Sequence, residues 1–426
     1  MKTTKLEKLK LEIYEEVLDN GLHIYIVPKK NCNNIYATFS TKYGSNNNDF
    51  VPLNGKRMKS FPLGIAHFLE HKMFETDDGT DPFLIYSNNG ADANANTSNY
   101  KTTYLFSGPE YFKENLNYLL DYVQSPYFTD ENVEKEKGII TQEIKMYQDD
   151  PYTVLYERAV YNSFINHPIK IPVIGTVSSI NKITKDDLYA CYETFYNPAN
   201  MFVVVTGNVD PLETILIIKQ NQKEKSFSDF VKIKEKKYDE PDSVEEENET
   251  LHMDISLSKL ALSYKINYDK LDLDIRDALS YLSIIFDINI GSTSLLNEKL
   301  KNDGVITSNI DFTFLYTDKH ILITILGETN TIERLSSQLE NQMNNLEVTL
   351  DDFNRKKLNI ASSYVFMSDN IFSMNEKIMS NIIKYNEIKT DDIEYTKGLS
   401  FDKANEIIKK LNLSNKSIVV IKPKES

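Results

Sequence analysis

The sequence predicts an α+β protein of two similar domains, each a mainly antiparallel sheet packed against helices. Three observations lead there. Segments that alternate at strand spacing are grouped apart from paired segments at helical spacing, which favours α+β over βαβ organisation. The order of elements in the first half recurs in the second. The last strand-like run, NKSIVVIKP, echoes NMFVVVTGNVDP at the end of the first half. At 426 residues the chain is too long for one ordinary core and suits two.

The first predicted element is a hairpin. EIYEEVLDNGLHIYIVP alternates on both sides of Asp19-Asn20-Gly21, a strong turn signal. A second extended run covers residues 35–43. Apolar residues at helical spacing predict a helix over residues 63–76. GADANANTSNYKTTYLFSG is small, polar and β-prone, and predicts strands near a backbone ligand. Helices follow over 110–124 and 130–147, the second capped by Thr129 or Asp130. The β-branched run in NMFVVVTGNVDP closes a first domain spanning residues 1–222. Residues 223–250 are charged, poor in large apolar residues and broken by Pro241, and are expected to link the domains. The second domain, 251–426, opens with the strand signal LHMDISLSKLALSYKI. Helices are predicted over 271–287 and 292–302, then a hairpin turning near Thr317-Asp318-Lys319, then three or more helices.

Composition narrows the function. The formal net charge of −15 argues against binding nucleic acid or an anionic membrane surface. The start, MKTTKLEKLKLEIYEE, has no apolar core of a secretory signal, and no uninterrupted apolar run approaches a membrane span. Cys32 and Cys191 form neither a disulfide framework nor a cysteine-based zinc site, and a reducing cytoplasm is the expected location.

The chemistry concentrates in GIAHFLEHKMFE. The chain has six histidines, and two of them, His67 and His71, stand four residues apart with Glu70 between. On a helix both imidazoles share one face and can reach one metal ion. Glu70 lies at the edge of that face, near enough to touch a water on the metal. This H-x-x-E-H pattern inverts the common H-E-x-x-H zinc motif. Catalytic zinc takes three protein ligands and leaves a position open. Candidates for the third are Glu136 and Glu143, two helical turns apart in ENVEKEKGIITQEIKMYQDDP. Glu143 would complete a His-His-Glu set, and Glu136 could orient a ligand. His23, His167, His252 and His320 have no partner at ligand spacing and are expected to be structural or superficial.

GIAHFLEHKMFE, GADANANTSNYKTTYLF, EKGIITQEI and the long segment NHPIKIPVIGTVSSINKITKDDLYACYETFYNPANMFVVVTGNVDP together resemble the insulinase/pitrilysin family of zinc metallopeptidases, the inverzincins. The resemblance covers most of residues 10–215 and is greatest to small bacterial two-domain chains. It implies two α+β domains related by a pseudo-twofold axis. It further implies one Zn²⁺ per chain held by His67, His71 and Glu143, with Glu70 as general base and Glu136 as a supporting acidic residue of the catalytic apparatus. Asn94 matches the asparagine that holds substrate backbone, and Ala93 to Ala95 would form the edge strand that pairs with an extended peptide.

One departure stands out. Family members that act alone present an Arg and a Tyr from the second domain to the substrate. Here Lys301 and Thr307 fall near those positions, around Gly304, while the arginines after the linker are Arg276, Arg334 and Arg355. Lysine does not reproduce a guanidinium fork. The expectation is a zinc endopeptidase or processing-peptidase subunit acting on peptides, paired with a homologous metal-free partner or with itself. The alternative is a non-catalytic peptide-binding or assembly module with a vestigial zinc site.

Overall fold

The computed structural model describes residues 1–424. Its strands are β1 (Lys2–Leu6), β2 (Leu11–Val17), β3 (His23–Pro28), β4 (Ile35–Thr41), β5 (Asp49–Phe50), β6 (Lys59–Ser60), β7 (Asp92–Thr97), β8 (Thr102–Gly108), β9 (Met201–Gly207), β10 (Asn248–Met253), β11 (Ser258–Asn267), β12 (Asp311–Tyr316), β13 (His320–Thr329) and β14 (Lys416–Pro423). The helices of the first half are α1 (Ile65–Lys72), α2 (Pro82–Asn88), α3 (Phe112–Val123), α4 (Asp130–Asp149), α5 (Pro151–Ser163), α6 (Val177–Ile180), α7 (Lys185–Phe195) and α8 (Pro211–Lys223). Those of the second are α9 (Ile275–Ile290), α10 (Leu295–Asn302), α11 (Ile332–Asn344), α12 (Leu350–Asp369), α13 (Ile371–Tyr385), α14 (Asp392–Gly398) and α15 (Phe401–Lys410).

The chain forms two compact units. One comprises residues 1–144, 172–237 and 365–391; the other comprises 145–171, 238–364 and, among the described residues, the stretch from 392 onward. Each is therefore built from three separate stretches of sequence. A single cut between 223 and 250 would assign α5 and α13 differently.

The first unit holds a seven-stranded sheet in the order β1-β2-β3-β9-β4-β8-β7. Only β3 and β9 run parallel; the other neighbours are antiparallel. β4 and β9 are buried along their whole length. That is why MFVVVTG reads as an unbroken apolar run and not as an alternating one. On one face Met374, Ile378, Met379 and Ile382 of α13 pack with Tyr25, Val27, Phe202 and Val204.

The second unit repeats this plan with five strands, β10-β14-β11-β13-β12. Again one pair, β10 with β14, is parallel and the rest are antiparallel. Strand for strand this is the arrangement β3-β9-β4-β8-β7 of the first unit, so the duplication inferred from element order extends to sheet topology. Leu155 and Ala159 of α5 pack on Ala261, Val419 and Ile421. On the core side, residues 275–302 are apolar enough in length and composition to cross a bilayer. Here they are α9 and α10, separated by a turn, with Leu282, Ile285, Phe286 and Leu300 buried among Leu262, Ile323 and Leu335. α9 carries Arg276, Asp277, Ser280, Ser283 and Asp287 along one stripe and buries the opposite face, as a core-facing amphipathic helix does.

The predicted hairpins, the 110–124 and 130–147 helices and the terminal strand all form, with ends shifted by a few residues. The helix over 63–76 is shorter, because Gly64 takes a left-handed conformation at its start and Met73 caps its end. β1 was not expected: KTTKL is polar, as suits an outermost strand whose lysines discourage further pairing. The charged stretch 223–250 is not a free tether. Glu240 accepts the backbone N–H groups of Ile165 (2.9 Å), Asn166 (2.7 Å) and His167 (2.7 Å) and pairs with the enclosed Lys265.

Candidate metal centre

Helix α1 is fixed at its start. Gly64 (φ +84°) and Gly175 (φ +80°) meet so closely that a Cβ on the first would stand 2.3 Å from the Ile174 carbonyl oxygen, and one on the second 2.6 Å from that of Leu63. Ser179 Oγ also donates to the Leu63 carbonyl at 2.8 Å. Beyond this anchor, Ile65, Ala66, Phe68 and Leu69 are buried, and the rotation left over turns His67 and His71 to one side, ring centroids 4.6 Å apart.

Helix α4 supplies the facing carboxylates. Its first turn is closed by reciprocal bonds between Thr129 and Asn132 (3.1 and 2.9 Å). Val133, Ile140 and Ile144 bury one face, and Glu136 is buried with them. Glu143 lies 3.8 Å from His67 Nε2 and 3.6 Å from His71 Nε2, through different oxygens. One donor atom from each of the three residues lies within 4.8 Å of the others.

This donor set fits zinc. Donors about 2.0–2.1 Å from a tetrahedral zinc stand roughly 3.4 Å from one another, close to the two separations just given. The tautomer is prepared as well. His71 Nδ1 is 3.0 Å from Glu136 Oε1, so its N–H points at the carboxylate and Nε2 keeps its lone pair. Among the described residues His67 Nδ1 is buried without a hydrogen-bond partner. Burial, reinforced by His71, pushes His67 down to about 3, so its neutral form, the one that ligates, prevails. Burial alone would lower His71 too, but the hydrogen bond and charge of Glu136, with Glu70 and Glu143 nearby, hold it above its ordinary value. That acidic surround is cation-seeking, and a metal ion would displace the proton.

Glu70 is buried and its carboxyl is raised above the usual range, mainly by burial and against the hydrogen bond from Thr97. Thr97 Oγ1 donates to Glu70 Oε2 at 2.5 Å. Thr97 ends β7, the outermost strand of its sheet. On that strand Asn94 Oδ1 accepts the N–H of Ala95 at 2.8 Å, so the Ala95 N–H faces the open edge and not β8.

Residues 60–177 match the family model described as insulinase (peptidase family M16), and residues 182–359 match the M16 inactive domain. A Bacillus subtilis protein described as the uncharacterized zinc protease YmfH is 40% identical over 80% of each chain. The chain belongs to the insulinase (M16) peptidase family. A second relative, an uncharacterized zinc protease of Rickettsia felis, is 26% identical over 90% of this chain and 94% of its own. The crystal structure of an M16-like peptidase from Alicyclobacillus acidocaldarius superimposes with a TM-score of 0.90 at 28% identity, covering 97% of this chain and 99% of that one. A Helicobacter pylori protease at 19% identity and TM-score 0.83 shares the fold.

Within this M16 chain the structure brings His67, Glu70, His71, Glu136 and Glu143 together and puts Ala93, Asn94 and Ala95 on the open edge strand. The other histidines stand elsewhere; His320, for one, bonds Asp242 at 2.8 Å. The three arginines of the second half are each engaged with an aspartate: Arg276 with Asp392 (3.3 Å), Arg334 with Asp303 (2.9 Å) and Arg355 with Asp352 (2.6 Å). Sequence reasoning missed Thr97. Its place on the same strand face as Ala93 and Ala95 is readable from alternation, but its meeting with Glu70 depends on how α1 packs against β7.

Proposed function

We propose that the chain is a zinc-dependent endopeptidase, or the metal-bearing subunit of a processing peptidase, that cleaves peptides lying as an extended strand against β7 in a closed chamber. The observation that carries this reading is the convergence of His67, His71 and Glu143, with Glu70 beside them and hydrogen-bonded to the edge strand. His67, His71 and Glu143 would hold one zinc ion, which when bound supplies Lewis acidity and a water that is nucleophilic at neutral pH.

The remaining work falls to the chain. Glu136 keeps the His71 ring oriented by taking its Nδ1–H. Glu70 removes the proton from the attacking water and delivers it to the amine as the C–N bond breaks. Burial makes Glu70 a stronger base than an exposed glutamate, and Thr97 restrains one oxygen so that the other is presented. The substrate backbone pairs with Ala93–Ala95 by strand addition, taking the Ala95 N–H once the Asn94 amide swings away.

Lys301 and Thr307 in place of an Arg/Tyr pair favour a partner that completes the substrate grip, either a homologous metal-free subunit or a second copy of this chain. A cytoplasmic location suits Cys32 and Cys191, both unbridged.

The test is cleavage of a mixed quenched-peptide pool by the purified, zinc-loaded chain, with Glu70→Gln as control. Cleavage that vanishes in the control while zinc is retained supports the reading. Equal rates in both proteins would remove Glu70 as the base. Bound zinc without cleavage would direct the search to the partner subunit.

A further inference from the structure

Lys72 follows His71 at the end of α1, and its side chain is completely enclosed, at 0% exposure. An ammonium so placed needs compensating partners. Its Nζ lies 2.7 Å from Glu75 Oε2, donates to the Asn132 carbonyl at 3.2 Å, and stands 3.9 Å from Glu136 Oε2. Asn132 and Glu136 are one turn apart on α4, so the lysine grips that helix along a single face. The other oxygen of Glu136 takes the Nδ1–H of His71 at 3.0 Å. A continuous path therefore runs from Glu75 through Lys72 and Glu136 to one of the three candidate ligands.

Lysine is an expensive way to fill this space. A methionine would occupy a similar volume without desolvating a charge, and buried ion pairs seldom outperform apolar packing in net stability. Meanwhile α1 carries both histidines and α4 carries Glu143, so the separation of the donors depends on the contact between these two helices. Besides the His71 ring, Lys72 is the one basic side chain within ion-pair range of Glu136 among the described residues.

From this geometry we infer that Lys72 is a positioning residue of the metal centre: it ties α4 to the end of α1 and holds Glu136 against His71. The inference rests on the metal reading given above. In such sites, loss of a partner behind a ligating histidine costs about 10–100-fold in metal affinity.

The experiment is a double-mutant cycle on zinc affinity in the full chain, read by competition with a chromogenic chelator. The proteins are wild type, Lys72→Met, Glu136→Gln and the double variant. Lys72→Met should bind zinc about tenfold or more weakly. The double variant should lose no more than about threefold beyond the weaker single variant, because both act through one path. The absorption spectrum of the Co²⁺-loaded chain should change in Lys72→Met as the His71 ring reorients. If Lys72→Met fails to fold, Lys72→Met/Glu75→Gln, which removes both charges of the tighter pair, carries the same expectation. A wild type that takes up no zinc overturns the metal reading and this inference with it. Tight binding by wild type, with Lys72→Met within twofold or with fully additive losses, overturns this inference alone.

Discussion

Thr97 Oγ1 donates to Glu70 Oε2 at 2.5 Å and so joins the last residue of the edge strand β7 to the helix that carries both histidines. The bond restrains the proposed base through the strand on which the substrate would lie. In Thr97→Val the carboxylate loses its anchor but the histidines and Glu143 keep theirs. Zinc content should be unchanged, kcat should fall about 10–100-fold by misplacement of the base, and KM should move little. Metal analysis beside steady-state rates checks this. Lost zinc would mean that Thr97 supports the ligands instead.

Asn94 separates binding from stability. It is exposed on β7, and its Oδ1 accepts the Ala95 N–H at 2.8 Å. Removing it should leave the thermal midpoint nearly unchanged, since exposed substitutions away from special features usually stay within about 0.5 kcal/mol. If the Asn94 amide, once released from the Ala95 N–H, holds the backbone of the added strand, Asn94→Ala should raise KM several-fold with zinc retained. An unchanged KM would put the substrate elsewhere than this edge.

The grouping of the candidate metal-site residues was legible because their relations are local. His67, Glu70 and His71 lie within two turns of one helix, and Glu136 and Glu143 within two turns of another, so helical periodicity alone orients each set. That the two sets converge came from the resemblance and not from spacing. Thr97 and Lys72 were illegible for the same reason: each acts across elements distant in sequence. At the scale of the fold, strand runs and turn residues such as Asp19-Asn20-Gly21 carried strong local signals. The packing of α5 and α13 did not, because an amphipathic helix shows which face it buries without showing which sheet will cover it.

Gly64 and Gly79 share a left-handed backbone, φ +84° and +73°, in opposite surroundings. Among the described residues a Cβ on Gly79 meets nothing within 4 Å, whereas one on Gly64 collides with the Ile174 carbonyl at 2.3 Å. Gly79→Ala should cost about 1–2 kcal/mol, the left-handed penalty alone. Gly64→Ala adds a clash with backbone, should cost about 3 kcal/mol or more, and should weaken zinc binding by moving α1. Chemical denaturation of both variants tests the ranking. Equal losses would show that the Gly64–Gly175 contact does not anchor the helix.

Acid should destabilise the unit that contains His167 and His320 before its carboxylates titrate. Burial pushes His167 down to about 4, against the opposing charge of Glu240. Burial likewise lowers His320, although Asp242 partly offsets it. Both folded-state values lie below the roughly 6.5 of an unfolded histidine. The unfolded chain therefore binds protons that the folded one refuses, and the contribution of neutral burial, complete above about pH 6.5, declines as pH falls. The decline is at most about 1.4 kcal/mol per pH unit for each histidine, and for His167 it continues to about pH 4. Glu240 and Asp242, held below their ordinary values despite burial by Lys265 and by Lys270 respectively, with further hydrogen bonds, act in the same direction only at lower pH. Melting temperatures of the metal-free chain should thus fall between pH 6.5 and 5. The variant His167→Asn/His320→Gln keeps hydrogen-bonding side chains without the titration, Asn being able to accept the Ile169 N–H that His167 now takes. It should show a flatter slope over that interval, and parallel slopes would mean that the acid sensitivity arises elsewhere.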